Sequence, residues 1–386
     1  MLEGDAAEIA GVEIDSRRVR PGDLFVAIGG GVAFLDDARA RGAAATLVPD
    51  DAFAAMASIG RLARERLTAR VVAITGSVGK TSTKDILTAL LRQRARVVSA
   101  EDGFNNELGL PLTLCRADET TEVVVTEMGM RGPGQIRELA EVARPHVGVV
   151  TAIAPVHLEL LGSIENIARA KAELLEHVEI AVLPADVPAL EPFLPAGLDV
   201  RRVRPPEVEL RDGYAVVNGV EFSFGARHQA GNAAIALATL EALGYPAPDG
   251  PVEVEFSRWR SQELELPGGG LLINDAWNAN PVAMRAALAH LQERAAGRRT
   301  VAILGEMAEL GPDAPAYHEE IGRAAGTVAI VIGVGDLARG YDPDAWAPTA
   351  ADAVGLAREL VRPGDVVLVK GSRSVGLEVV AEALAG

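Results

Sequence analysis

The residues best suited to chemistry fall in the stretch VVAITGSVGKTST, residues 71–83, where a lysine and hydroxyl side chains follow a turn that carries two glycines. Gly76 and Gly79 let backbone N–H groups point inward at phosphate oxygens, and a helix opening at Lys80 adds the positive end of its dipole. Lys80 can reach the β- and γ-phosphates of a nucleotide, and Thr81 offers a hydroxyl to Mg²⁺. The expected nucleotide cradle is therefore Gly76, Ser77, Val78, Gly79, Lys80, Thr81 and Ser82. The strict pattern G-x-x-x-x-G-K-[ST] has a glycine where this chain has Ile74, and no guanine-reading N-K-x-D accompanies it, so ATP is expected rather than GTP. A glycine turn entering a helix with a solvated lysine is the alternative without function.

Three further groups could serve the same chemistry. Glu127 ends the β-rich run VVVTE; carboxyl ends of parallel strands face ligands, and a metal ion would satisfy a carboxylate buried there. His157 follows another such run, TAIAPVH, and Lys171 lies in SIENIARAKAELLEHV, a helix with Ser163 as its expected N-cap. Taken singly, each has a plain structural alternative: a carboxylate paired with a surface arginine, a core or capping histidine, a solvated lysine. Lysine itself is scarce. Only Lys80, Lys84, Lys171 and Lys370 stand among 37 basic residues, the rest being arginine. A GC-rich genome explains the arginines, and a lysine kept against that bias points to chemistry that an always-charged planar guanidinium cannot supply.

These groups need a scaffold that brings strand ends together. Near-continuous apolar runs at 71–75, 122–127, 147–153, 300–305, 328–333 and 365–370 predict strands buried on both faces, as in parallel α/β sheets. Between them the spacing predicts helices over 80–93, with Ile86, Leu87, Leu90 and Leu91 on one face, and over 281–293, with Met284, Leu288 and Leu291. The Pro/Gly-rich segment 244–251 reads as a linker, and the first 69 residues as a small α/β cap. Expected, then, is an α/β fold in three domains, 1–69, 70–246 and 247–386.

Composition sets outer bounds. With 386 residues, 49% apolar and 24% charged, the chain is an ordinary globular protein rather than a disordered one. Its 37 basic residues against 54 acidic ones, a net charge of −17, argue against nucleic acid as a partner. No apolar run approaches the ~18–20 residues of a membrane span, and the acidic start MLEGDAAEIA is unlike a signal peptide. The single cysteine, Cys115, cannot form an internal disulfide, which fits a cytoplasmic protein.

The variant T-G-x-x-G-K-[ST] resembles the phosphate loop of the Mur ligase family, which joins amino acids or peptides to carboxylates using ATP. Five more blocks follow in chain order: GFNNELGLPLTL (103–114), EMGMRGPGQI (127–136), INDAWNANP (273–281), LGEMAELG with His318 (304–318) and VLVKGSRSVGLE (367–378). They are similar to the branch of that family that adds D-alanyl-D-alanine to the terminal carboxylate of UDP-N-acetylmuramoyl-tripeptide in peptidoglycan precursor synthesis. The resemblance implies a UDP-substrate-binding N-terminal domain (shortened here), a central phosphate-loop ATPase domain with a mainly parallel sheet, and a Rossmann-like C-terminal domain.

It also implies roles. Lys80, Glu127, His157 and Lys171 would be catalytic, and Thr81, Glu127, His157 and Lys171 would hold Mg²⁺, the lysine carbamoylated into a carboxylate-like anion. Asn232 matches an adenine contact, Arg260 an arginine near ATP, and Asp275 a ribose-binding acid. Ser16 and Arg17 match uridine-nucleotide contacts, and Asn105, Asn106, Asn278, Asn280, Lys370, Ser372 and Arg373 match substrate-side positions. The implied cofactors are ATP and Mg²⁺, the partners two small molecules, and the working form a monomer with no nucleic acid or membrane span. Departures are the missing D-G-H after DSRRVRPGDLFVAI (15–28), and Ala152, Gln229, Trp259, Asn274 and Trp277 in place of asparagine, asparagine, glycine, aspartate and tyrosine. The trimmed front end leaves room for a different acceptor; a nucleotide-binding module without catalysis is the alternative from another class.

Overall fold

Strands that carry apolar side chains on both faces must be covered on both sides. In the computed structural model, which describes residues 1–4, 8–156, 158–211 and 213–386, β5 (Arg70–Thr75) is such a strand. Val71, Val72, Ala73 and Ile74 are all fully buried, and each large one is worth roughly 2 kcal/mol relative to exposure. Alternate residues serve opposite layers, as the period of two requires. Val72 and Ile74 pack with Ile86, Leu87, Leu90 and Leu91 of the helix Lys80–Arg92. Val71 and Ala73 pack with Leu110, Ile136, Leu139 and Ile167 on the other side.

Among the described residues the strands form four sheets. A small N-terminal sheet holds β1 (Leu2–Glu3), β2 (Gly11–Glu13), β3 (Asp23–Val26) and β4 (Ala45–Leu47) in the order β1-β4-β3-β2. The central sheet adds β6 (Val97–Ser99), β7 (Val123–Glu127), β8 (Val147–Val150), β9 (Ile180–Pro184) and β10 (Asp199–Val203), and every pairing in it is parallel. Its order, β10-β9-β8-β5-β7-β6, sets the phosphate-loop strand between the strand that ends at Glu127 and the one that leads to residue 157. The third sheet, an antiparallel meander of β11 (Val208–Arg211), β12 (Tyr214–Val217) and β13 (Val220–Phe222), packs on the helix Gln229–Ala242.

The last sheet runs β14-β15-β19-β16-β17-β18, with β14 (Gln262–Leu266), β15 (Gly270–Asp275), β16 (Thr300–Gly305), β17 (Ile330–Val334), β18 (Ala345–Ala347) and β19 (Val366–Lys370). Only β14 is antiparallel, and helices cover both faces, so the unit is doubly wound. Asp275 and Lys370 are register partners at adjacent strand ends, which is where such sheets bind ligands. The α/β class is as expected. The strand expected over 147–153 stops at Val150 because Thr151 turns away, its hydroxyl donating to Val78 O at 2.5 Å. Among the described residues no helix is long and apolar enough to cross a membrane.

Candidate active site

The phosphate loop begins one residue past β5, so Ile74, the departure from the strict pattern, is a buried strand residue and not part of the turn. Gly76 has φ +148° and Gly79 φ +82°. Side chains would also collide there: a Cβ at Gly76 would lie 2.0 Å from Thr151 Oγ1, and one at Gly79 2.3 Å from Asn232 Oδ1. Ser77 is used to fix the loop. Its hydroxyl donates to Ala154 O at 3.0 Å and accepts from Ala154 N at 2.9 Å. Gly79 is the N-cap of the helix Lys80–Arg92 and offers no side chain, so the first N–H groups of that helix are left for a ligand.

Glu127 is the hub. It is 5% exposed, and its two oxygens accept from Thr81 Oγ1 and Asn105 Nδ2, each at 2.9 Å. Burial works to raise its pKa, but the charge of Lys80, the Asn105 amide, Arg260 and the Thr81 hydroxyl together hold it below the ordinary carboxylate range. Lys80 donates to the neutral carbonyl of Gly76 at 3.0 Å. Burial, with Arg260 adding to it, lowers its pKa against the pull of Glu127. Arg260 Nη2 donates to Thr81 Oγ1 at 3.1 Å and thereby links the C-terminal unit to the phosphate loop.

Lys171 is 2% exposed, and its side chain makes no hydrogen bond or ion pair with the described residues. Burial, and next the positive charge of Lys80, press its pKa well below the ordinary lysine range. Ser163 caps its helix as expected, accepting from Asn166 N at 3.2 Å. His157 lies outside the described residues. Two acidic or hydroxyl oxygens, Glu127 and Thr81, suit a hard divalent cation. A protonated Lys171 would repel one, and an uncharged or carbamoylated lysine would not.

A cavity of about 220 Å³ gathers Ser77 to Ser82 from the loop, His228 and Asn232 from the helix that follows the meander, and Arg260, Asp275, Asn278, Asn280 and Lys370 from the C-terminal unit. Three distant stretches of chain thus meet at the phosphate loop. Lys370 Nζ donates to Asp275 Oδ2 at 2.5 Å and to Asn278 O at 3.0 Å. Asn232 Nδ2 donates to Gln229 Oε1 at 2.7 Å. Asn280 caps the helix Pro281–Ala295 and Asn106 accepts from Leu108 N and Gly109 N, so both amides already hold turns. Ser372 accepts from Ala308 N at 2.9 Å. Arg373 pairs with Glu378 and lies over the ring of Trp259, 4.6 Å from its centroid. His318 is a core residue, its Nε2 accepting from Met307 N at 3.0 Å.

The N-terminal candidates stand apart from that cavity. Arg17 is exposed and grips Asp15, with Nη2 to Oδ2 at 2.6 Å. Ser16 is buried, and its hydroxyl, facing Asp37, is the main cause holding that carboxyl low. It is the next residue, Arg18, that reaches the central unit. Sequence reading passed over Arg18, and over His228, whose place four residues before Asn232 on one helix face was the available signal. Burial pushes His228 down to about 4.

Family models match on both sides of this cavity: the Mur ligase middle domain over residues 74–196 and the Mur ligase glutamate ligase domain over 259–373. A UDP-N-acetylmuramoyl-tripeptide–D-alanyl-D-alanine ligase from Mycobacterium bovis is 35% identical, covering 97% of this chain and 91% of the relative. The chain belongs to the Mur ligase family. The enzyme of the same description from Escherichia coli is 30% identical, covering 99% of this chain and 95% of its own. Among solved structures, the MurF ligase of Thermotoga maritima in complex with ADP superposes with a TM-score of 0.83 at 26% identity, covering 97% of both chains. MurF from Acinetobacter baumannii gives 0.81 at 26% identity, covering 97% of this chain and 93% of that one.

Two departures of this Mur ligase sit together. Trp259 and Trp277 stack, with centroids 5.9 Å apart and planes at 30°. Trp259 adopts φ +59°, a left-handed conformation that a glycine would take without strain. Lys84, the one lysine outside the motifs, is also accounted for. It is buried in an ion pair with Asp85 at 2.8 Å, and Asp85 accepts from Ser257 N at 2.8 Å, which ties the C-terminal unit to the central helix.

Proposed function

We propose that this Mur ligase uses ATP to join D-alanyl-D-alanine to the terminal carboxylate of UDP-N-acetylmuramoyl-tripeptide, through an acyl phosphate, in peptidoglycan precursor synthesis. The observation that carries the reading is the meeting of Lys80, Thr81 and Glu127 with Arg260, Asp275 and Lys370 from another unit around one phosphate loop. The substrate follows from whole-chain relatives of that description.

In the first step the tripeptide carboxylate attacks the γ-phosphorus of ATP and the bond to the ADP oxygen breaks. Two anions must approach, so catalysis is mostly electrostatic. The open N–H groups at the start of the helix after Gly79 receive the phosphates, and Lys80, held among the described residues by a neutral carbonyl, is available to charged oxygens. Arg260 adds a second cation from the far side. Asn232 and Asp275 hold the adenosine, and Lys370, Asn278 and Asn280 face the acceptor side. In the second step the amine of D-alanyl-D-alanine attacks the acyl carbon and phosphate leaves.

Thr81, Glu127, His157 and Lys171 would hold Mg²⁺, which when bound neutralises phosphate charge. Burial lowers the pKa of Lys171, which eases loss of its proton; the amine so formed would add to CO₂ and release a proton, leaving a carbamate whose oxygens can serve as ligands. Residues 1–69 would bind the uridine nucleotide with Ser16 and Arg17, 70–246 the ATP, and 247–386 the incoming dipeptide together with Asn105, Asn106, Ser372 and Arg373. All these groups come from one chain, so a monomer suffices, working where ATP is, in the cytoplasm. The test is phosphate release from ATP with each substrate withheld in turn. Release that needs both UDP-tripeptide and D-alanyl-D-alanine supports the reading; ATP binding without turnover on either would end it.

A further inference from the structure

All three α/β units touch the loop 101–106, which leads from β6 to the helix Gly109–Cys115. From the N-terminal unit, Arg18 makes a two-pronged ion pair with Glu101, at 2.9 and 3.0 Å. From the C-terminal unit, Arg258 N donates to Asp102 Oδ2 at 3.3 Å, and the edge of the Trp277 indole faces Gly103. A Cβ at Gly103 would lie 3.9 Å from Trp277 Cη2, ordinary van der Waals contact. The loop then tightens, with Phe104 N donating to Glu101 O at 3.0 Å and Asn105 N to Gly103 O at 2.9 Å. It ends on the reaction centre, where Asn105 Nδ2 donates to Glu127 Oε1.

The indole is itself pinned. Trp259 stacks on it, Trp277 N donates to Trp259 O at 3.3 Å, and the guanidinium of Arg260 lies 5.4 Å from its centroid. Arg260 is the same side chain that bonds Thr81. A rigid ring held in this way can transmit the position of the C-terminal unit to the loop. The two oxygens of Glu127 are held by Thr81 and Asn105, one each. Losing the amide would free one oxygen and let the carboxylate rotate.

We propose that Trp277 is a positioning residue for the ligase reaction: the edge of its indole, set beside Gly103, orders the loop 101–106 and aims Asn105 at Glu127. The inference rests on Glu127 belonging to the reaction centre as read above. The phosphate loop keeps its own anchors, Ser77 to Ala152 and Ala154, so binding of ATP should fall far less than turnover.

The experiment compares the full-length wild type with Trp277→Ala, Asn105→Ala, the double variant and Trp277→Phe. Misplacement of a group by about 1 Å costs up to ~10²-fold, so each alanine variant should lower kcat by roughly 10- to 30-fold with KM for ATP within about threefold. Groups acting in one chain of contacts are non-additive, so the double variant should be about as slow as the slower single one. Trp277→Phe, which keeps a flat ring, should recover most of the rate. Hydrogen–deuterium exchange supplies a readout independent of activity: Trp277→Ala should speed exchange in 101–106 and leave 76–88 unchanged. An unchanged kcat, losses that multiply in the double variant, or unchanged exchange in the loop would each overturn the proposal. If the wild type shows no ligase activity, the functional reading fails, and the exchange measurement still decides the coupling.

Discussion

Single residues here do their work through what burial does to charge. The Lys171 side chain has no partner among the described residues, and burial and the charge of Lys80 push its pKa well down. Substituting Lys171→Ala should cut the rate by about 10²-fold, the usual size of an outer ligand loss, and a short carboxylate such as propionate should restore part of it. Initial rates with and without propionate check this; no rescue would remove the carbamate. His228 gives a pH effect of known sign. Its folded pKa of about 4 lies below the ~6.5 of an unfolded histidine, so between these values the unfolded chain binds the proton and the native state does not. Stability is therefore full above about pH 6.5 and falls as pH drops toward 4. Relative to His228→Asn, the wild type should lose up to about 2 kcal/mol between pH 7 and pH 5, read by urea unfolding at each pH.

Elements were legible where one pattern dominated. The helix expected at 80–93 is Lys80–Arg92, and that at 281–293 is Pro281–Ala295, because apolar spacing and end residues agree in both. Ser163 was readable as a cap, and Ser163→Ala should cost about 1 kcal/mol, lowering Tm by a few degrees, while Ser163→Asp should not. What escaped was weakly patterned. No strand was expected over 208–222, yet β11 to β13 form there because the inner residues Ala215, Val217 and Phe222 join the central core. The phosphate loop and Glu127 could be read locally. The pairing of Lys370 with Asp275 could not, since it arises from strand order β15-β19, which brings residues 95 positions apart into register. Nor could the use of Asn106 to hold a turn and of Asn280 to cap a helix, because an amide in a turn looks the same whether it faces backbone or substrate.

At the scale of the whole molecule, the site exists only while the C-terminal unit is docked. Arg260 reaches Thr81, Ser257 reaches Asp85, and Glu159 N donates to Glu309 O at 3.4 Å. Asp85→Ala would leave the Lys84 ammonium buried and unpaired, a loss of roughly 3 kcal/mol. It should also loosen the docking, seen as a larger radius of gyration in small-angle scattering; unchanged stability and size would show that the tie is passive. The central claim concerns what the docked site makes. With D-alanyl-D-alanine withheld, wild-type protein, ATP and UDP-tripeptide are mixed and treated with borohydride, which reduces an acyl phosphate to an alcohol and leaves a free carboxylate untouched. The alcohol should form with the wild type and be absent with Lys80→Ala. Equal amounts from both proteins, or none from the wild type while it still makes the pentapeptide, would contradict activation at the phosphate loop.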